Sequence, residues 1–171
     1  MLSFITNLFK VATKKPKTVA TGVTTAGAVA LAVVGLGPDE GLRTTAYLDV
    51  VGIPTVCFGE TRGVSLGDTY TVAECEAMLM VRAQEFEDRI KPCIANYNKL
   101  PVEVRASLIR LSYNIGTGAF CGSTIVKKLN RGDIRGACNG FPAWKYAGGK
   151  VIRGLQLRRE REKKQCLSGL E

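Results

Sequence analysis

The chain has 171 residues, 46% of them apolar, with six cysteines, no histidine and a formal net charge of +9. That length suits one domain, or one domain and a tail, and needs no staples merely to fold. Without imidazole, Ser-His-Asp and Cys-His hydrolysis and histidine-ligated zinc are excluded, which leaves carboxylate, lysine, tyrosine or thiol for proton transfer.

Residues 1–38 hold Lys10, Lys14, Lys15 and Lys17 and no acid, so +4 of the charge belongs to the tail and +5 to the rest. A basic body suits nucleic acid, an anionic membrane or an anionic polymer such as a bacterial wall, or serves solubility alone. No basic-aromatic motif points to nucleic acid.

Met1–Lys10 (MLSFITNLFK) is apolar with a basic end and suits the membrane surface. Thr18–Gly37 (TVATGVTTAGAVALAVVGLG) then runs 20 residues without a charge. As a helix it is about 30 Å long, enough for a bilayer core. Thirteen of those residues are Ala, Gly or Thr, so its drive to insert is weak. Lys14, Lys15 and Lys17 in front of it put the N-terminus in the cytoplasm and everything after Gly37 outside. A weak signal-anchor is the leading reading. A cleaved signal peptide with sites at Ala28-Val29-Ala30 or Ala30-Leu31-Ala32, and a buried soluble helix, are the alternatives. The chain therefore divides into residues 1–37, a cytoplasmic tail and transmembrane segment, and residues 38–171, an exported domain.

Gly37-Pro38 reads as a break, with a helix end at Asp39–Arg43. Ala46–Val64 mixes β-branched and aromatic residues with Gly and Pro, as short strands and turns do. Thr71-Val-Ala-Glu74 is a capping box that opens a helix to about Ile90, with Ala73, Met78, Leu79, Val81, Ala83 and Phe86 facing the core. Pro101 starts a helix with Val102, Val104, Leu108, Leu111 and Ile115 on its apolar side, and Gly116 ends it. Ser123 caps a short helix to Leu129, Asp133 caps another to Cys138, and Gly154–Leu167 is a charged last helix. The class is α+β: a small sheet, then helices. Cys57, Cys75, Cys93, Cys121, Cys138 and Cys166 all follow the apolar segment. An even count in an exported domain suggests disulfides, fifteen pairings being open, and the absence of C-x-x-C argues against a metal site.

Glu40 lies at the helix end, and Asp49 and Thr55 follow in the strand region. Two carboxylates flanking a cleft suit glycoside hydrolysis, one protonating the leaving oxygen and the other handling water or the sugar cation. The surrounding residues carry more. Glu40-Gly41, Tyr47, Asp49, Gly52, Thr55 and Gly59 fall at the steps of E-G-x-x-x-x-x-Y-x-D-x-x-G-x-x-T-x-G-x-G-H-T, and the chain resembles the phage-type lysozyme family. Asn114-Ile-Gly116-Thr-Gly118-Ala-Phe120, Ser123-Thr124, Asn130, Gly132-Asp133, Trp144–Gly149, Gly154-Leu155, Arg158-Arg159 and Glu162 resemble its later motifs, so the likeness covers Asp39–Leu167.

The resemblance implies a lysozyme-like fold, a small antiparallel sheet plus a helical lobe. It implies hydrolysis of the β-1,4 bond between N-acetylmuramic acid and N-acetylglucosamine in peptidoglycan, without a cofactor or metal. Glu40 takes the general-acid place, Asp49 the second carboxylate, and Thr55 the hydroxyl that positions water. Asn114 and Arg158 take substrate-binding places. The departure is Glu60, where the family often has histidine; Arg62 and Arg43 are its candidate partners. By resemblance and proximity the pairings are Cys57–Cys75, Cys93–Cys121 and Cys138–Cys166.

Some relatives of this type carry an anchor that later leaves the membrane, and Thr18–Gly37 resembles one. The expected course is then an inactive form tethered to the inner membrane, followed by a released, monomeric periplasmic endolysin whose partner is peptidoglycan. Two other functions compete: a non-lytic membrane-tethered wall-binding scaffold, and a basic lytic protein that kills by charge.

Overall fold

The computed structural model describes residues 25–171, with side chains from residue 27. The basic tail, the expected surface stretch Met1–Lys10 and the apolar residues before Thr25 lie outside the described residues.

Helix α1 spans Thr25–Glu40. Ala28, Val29, Ala32 and Leu36 recur at helical spacing and are buried in the core. The break expected at Gly37-Pro38 is not there: α1 runs through Pro38. A proline loses one N–H bond and crowds the carbonyl four residues back. That residue is Val34, on the exposed side, where the helix can give. Gly41 ends the helix in the left-handed region (φ +72°) and donates its N–H to the Gly37 carbonyl at 3.2 Å. Among the described residues no helix is long and apolar enough to cross a membrane.

Strands β1 (Arg43–Leu48) and β2 (Pro54–Cys57) form an antiparallel hairpin, with Tyr47 opposite Thr55 and an irregular register between Arg43 and Tyr47. Isolated bridges join Thr45 to Thr69 and Val56 to Glu60. Helix α2 (Val72–Ile90) opens on the Thr71–Glu74 capping box. Its buried face is Cys75, Leu79, Ala83, Glu87 and Ile90: of the expected set Leu79 and Ala83 are buried, Met78 and Phe86 are half-buried, and Ala73 and Val81 are exposed. The Cys57–Cys75 disulfide and the hairpin it carries turn the first half of α2 toward Cys75.

Helix α3 (Val102–Ile115) is buried without interruption from Val104 to Ser112, because it packs against α1, α2 and α7 together. The one-sided pattern expected there thus understates its burial, and Arg105 and Arg110 lie inside with the leucines. Short helices α4 (Thr117–Cys121), α5 (Thr124–Leu129) and α6 (Ile134–Cys138) follow, the last two capped by Ser123 and Asp133. A hairpin of β3 (Tyr146–Ala147) and β4 (Lys150–Val151) leads to α7 (Arg153–Ser168). The domain is α+β, one small hairpin lobe on a helical lobe, and the helical core runs from Ala28 to Cys166.

The disulfides are Cys57–Cys75, Cys93–Cys121 and Cys138–Cys166. The last ties α6 to the end of α7 across 28 residues, both cysteines being fully buried. Chain entropy assigns such a closure about 3–4 kcal/mol. Replacing Cys138 and Cys166 together by alanine is expected to lower stability by that amount, read as a fall in the urea midpoint.

One buried pair in α7 carries a pH signature. Arg159 Nη2 donates to Glu162 Oε1 at 2.6 Å, both side chains being wholly buried. Burial pushes the Glu162 carboxyl up to about 7, against the pull of Arg159 and Arg110, and lowers the Arg159 guanidinium from its ordinary value. A carboxyl with a raised folded pKa stabilises fully below its unfolded value of 4.5, and that contribution is lost as pH rises through about 7. The difference amounts to about 3 kcal/mol. Glu162→Gln cannot titrate, so it should match wild type at acidic pH and lack its decline. Urea unfolding of both chains across that range, with the variant pulling ahead above neutrality, is the check.

Candidate active site

Glu40 is the last residue of α1, so its position follows from how α1 seats on the domain. Its Oε1 accepts from Arg158 Nη1 of α7 at 2.9 Å, and its side chain is 24% exposed, open to a substrate. Arg158 Nη2 donates to the Asp39 carbonyl at 2.6 Å. One guanidinium therefore grips the end of α1 through both backbone and side chain, with the planar fork arginine offers.

Asp49 heads the turn between β1 and β2. Its Oδ1 accepts the backbone N–H groups of Val51 and Ile53, each at 2.9 Å, and Gly52 N–H donates to its carbonyl at 3.0 Å. An aspartate closing its own turn is a rigid carboxylate, leaving Oδ2 outside the turn. Thr55 is buried, and its hydroxyl donates to the Ile53 carbonyl at 3.0 Å. The peptides on either side of Ile53 thus tie Asp49 and Thr55 into one unit.

Asn114 and Arg158, expected as substrate groups, are engaged within the protein. Asn114 Oδ1 accepts from Arg159 Nη1 at 3.0 Å, and Arg158 holds Asp39 and Glu40. Asn114 is exposed and Arg158 half-buried, and these bonds link them to α7 and to the end of α1.

Glu60 is paired with Arg62, one of its two expected partners, and with Arg82, which was not expected. Its Oε1 caps the N–H groups of Thr61 and Arg62, at 3.0 and 2.9 Å, and lies 3.6 Å from Arg62 Nε. Its Oε2 lies 3.4 Å from Arg82 Nε of α2. Arg43 instead covers the Tyr47 ring at 4.2 Å. Glu85 completes the cluster, bonded to Arg62 at 2.6 Å and Arg82 at 3.0 Å. The Arg62 hydrogen bond holds the Glu85 carboxyl below its ordinary value. Arg82, 25 or so residues along the chain from the hairpin, has no local signal that would have named it.

Tyr113 joins the two ends of the site. Burial pushes its hydroxyl up to about 12, and the charges of Glu40 and Glu60 add to the effect. Its ring packs on Phe86 of α2, centroids 4.9 Å apart. Sequence reading missed Tyr113, and it missed Asp39, whose carboxylate sits next to Glu40 but faces inward. The signal available for Asp39 was two arginines within the otherwise apolar α3.

The arrangement offers a half-open carboxyl on one lobe and a fixed carboxylate and hydroxyl on the other. That division suits acid-assisted cleavage of a glycosidic bond lying between the lobes.

The chain is similar in sequence and in fold to known proteins. The Phage lysozyme family model matches residues 38–162. A SAR-endolysin of Enterobacteria phage P21 is 42% identical over 150 residues, covering 84% of this chain and 90% of that protein. The active form of the P1 phage endolysin Lyz superposes with a TM-score of 0.72 at 25% identity, over 82% of this chain and 85% of that one. Its secreted inactive form superposes with a TM-score of 0.53 at 21% identity, over 86% and 97%. The helical lobe, the small antiparallel sheet and the family motifs from residue 38 onward agree, and the chain belongs to the phage lysozyme family of glycoside hydrolases.

Proposed function

We propose that the chain is a muramidase endolysin, cleaving the bond between N-acetylmuramic acid and N-acetylglucosamine in peptidoglycan, and that it is kept inactive while residues 18–37 are held in the inner membrane. Glu40 is the general acid in this reading. Asp49 stays ionised beside the oxocarbenium-like sugar, and Thr55 positions the attacking water.

The observation that carries the reading is the course of α1. Residues 25–37 belong both to the uncharged segment and to a helix whose Ala28, Val29, Ala32 and Leu36 fill the core. That helix ends on Glu40. The segment cannot occupy the bilayer and the core at once. In the tethered form the core lacks α1 and the general acid is held at the lipid surface. Release lets α1 fold onto α3, and the site forms with it. A lysozyme fold with its acid, hairpin carboxylate and threonine in place favours an enzyme over a wall-binding scaffold.

Two measurements test this. Glu40→Gln should abolish lysis and turnover of peptidoglycan, a loss of at least roughly a thousandfold, while the chain still folds; full lysis by that variant returns the charge-driven alternative. Changing Thr21, Gly22 and Thr24 to leucine strengthens the segment's hold on the bilayer. Lysis by that variant should be delayed or absent while its activity after detergent release persists. Unchanged lysis timing would contradict release.

A further inference from the structure

We propose that Asp39 is a positioning residue: its seat among Arg110, Arg158 and Arg161 draws α1 onto the domain and, through Arg158, sets Glu40 in its working place. The proposal rests on the endolysin reading above and adds to it the interaction that decides between the two places α1 can occupy.

The Asp39 side chain is only 3% exposed, although it stands in the final turn of a helix. Its Oδ2 accepts from Arg110 Nη2 of α3 at 2.9 Å and lies 3.6 Å from Arg158 Nε of α7. Its Oδ1 accepts from Arg161 Nη2, also of α7. Arg110 is further fixed by Gln165 Oε1 at 2.9 Å. Two helices thus supply three cations to one carboxylate.

On docking, apolar packing gains chiefly by covering the face of α3 that the tethered form leaves without α1. Ala28, Val29, Ala32 and Leu36 themselves only exchange lipid tails for side chains just as apolar. A shift of α1 from one place to the other needs an interaction made in only one of them. The Asp39 seat is such an interaction. With residues 18–37 in the bilayer, Asp39 follows only two residues later and stays near the lipid headgroups. Arg110, Arg158 and Arg161 then face one another without their acid, a like-charge arrangement that Asp39 relieves on docking.

The same seat reaches the general acid. Arg158 contacts the Asp39 carboxylate and carbonyl and also donates to Glu40 Oε1. Whatever holds Arg158 to Asp39 therefore holds the rotamer of Glu40. Gly35 completes the fit: a Cβ there would stand 2.4 Å from Arg110 Cζ, so only glycine lets the guanidinium lie against α1 one turn before Asp39.

The test uses the full-length chain in cells whose membrane potential is collapsed by an uncoupler. It reads the share recovered in the soluble periplasmic fraction, and then kcat and KM of that fraction on soluble peptidoglycan strands. Asp39→Asn should lower the soluble share roughly tenfold and kcat of the soluble form by at least about tenfold, with KM within about twofold. Arg110→Met, which does not touch Glu40, should lower the soluble share in the same way with a smaller loss of kcat. A wild-type soluble share or a wild-type kcat in a folded Asp39→Asn chain overturns the proposal. If a thermal melt shows that Asp39→Asn does not fold, a wild-type soluble share for Arg110→Met overturns it instead. Glu40→Gln separates the two readings: it should keep wild-type partitioning and lose turnover, and turnover retained there sinks the endolysin reading while leaving the partition result to judge Asp39.

Discussion

Arg158 crosses from α7 to the end of α1, and the position of Glu40 depends on that crossing. The bond is made by a side chain 13% exposed to one 24% exposed, close enough to the interior for geometry to count and open enough for a substrate to enter. Everything behind it is support. Arg159 and Glu162 pair inside α7, Asn114 steadies Arg159 from α3, and the Cys138–Cys166 disulfide pins the far end of the same helix. The last helix, the most charged in the chain, is thus less a solvated surface than a rack of arginines.

The hairpin lobe is held by a different means. Asp49 and Thr55 need little from the helices, because the turn around Ile53 bonds both of them locally. The Cys57–Cys75 bridge and the Glu60–Arg82 pair then attach this unit to α2. One lobe carries an acid placed by long-range contacts, and the other a carboxylate placed by short-range ones. Under the proposed release, the dependence on α1 falls chiefly on the first, the side of the cleft that carries Glu40.

What could be read from the sequence follows the same division. The caps at Thr71, Ser123 and Asp133 are local hydrogen bonds between neighbours, and each helix starts where its cap predicts. Glu40, Asp49 and Thr55 were named from the spacing they share with the phage-type lysozyme pattern, and the local bonds around Ile53 left no signal of their own in the sequence. The buried face of α2 was legible only in part, at Leu79 and Ala83, while Cys75 is buried by its disulfide to the hairpin. The helix through Pro38, the burial of α3 on all sides and the inward turn of Asp39 come from contacts between elements distant in the chain, such as Arg110 with Asp39. The β3–β4 hairpin passed unnoticed although Gly148-Gly149 is an ordinary turn signal.

In the release proposed above, Gly35 is read twice, once by lipid and once by a guanidinium. For the bilayer it is a missing side chain that keeps the segment's grip slight. For the folded domain it is the gap into which Arg110 fits. Under the proposed release, a mutation that adds carbon at this position to lengthen residence in the membrane also displaces Arg110 from its place against α1. Timing and catalysis then meet at this one position, through the guanidinium that its missing side chain admits.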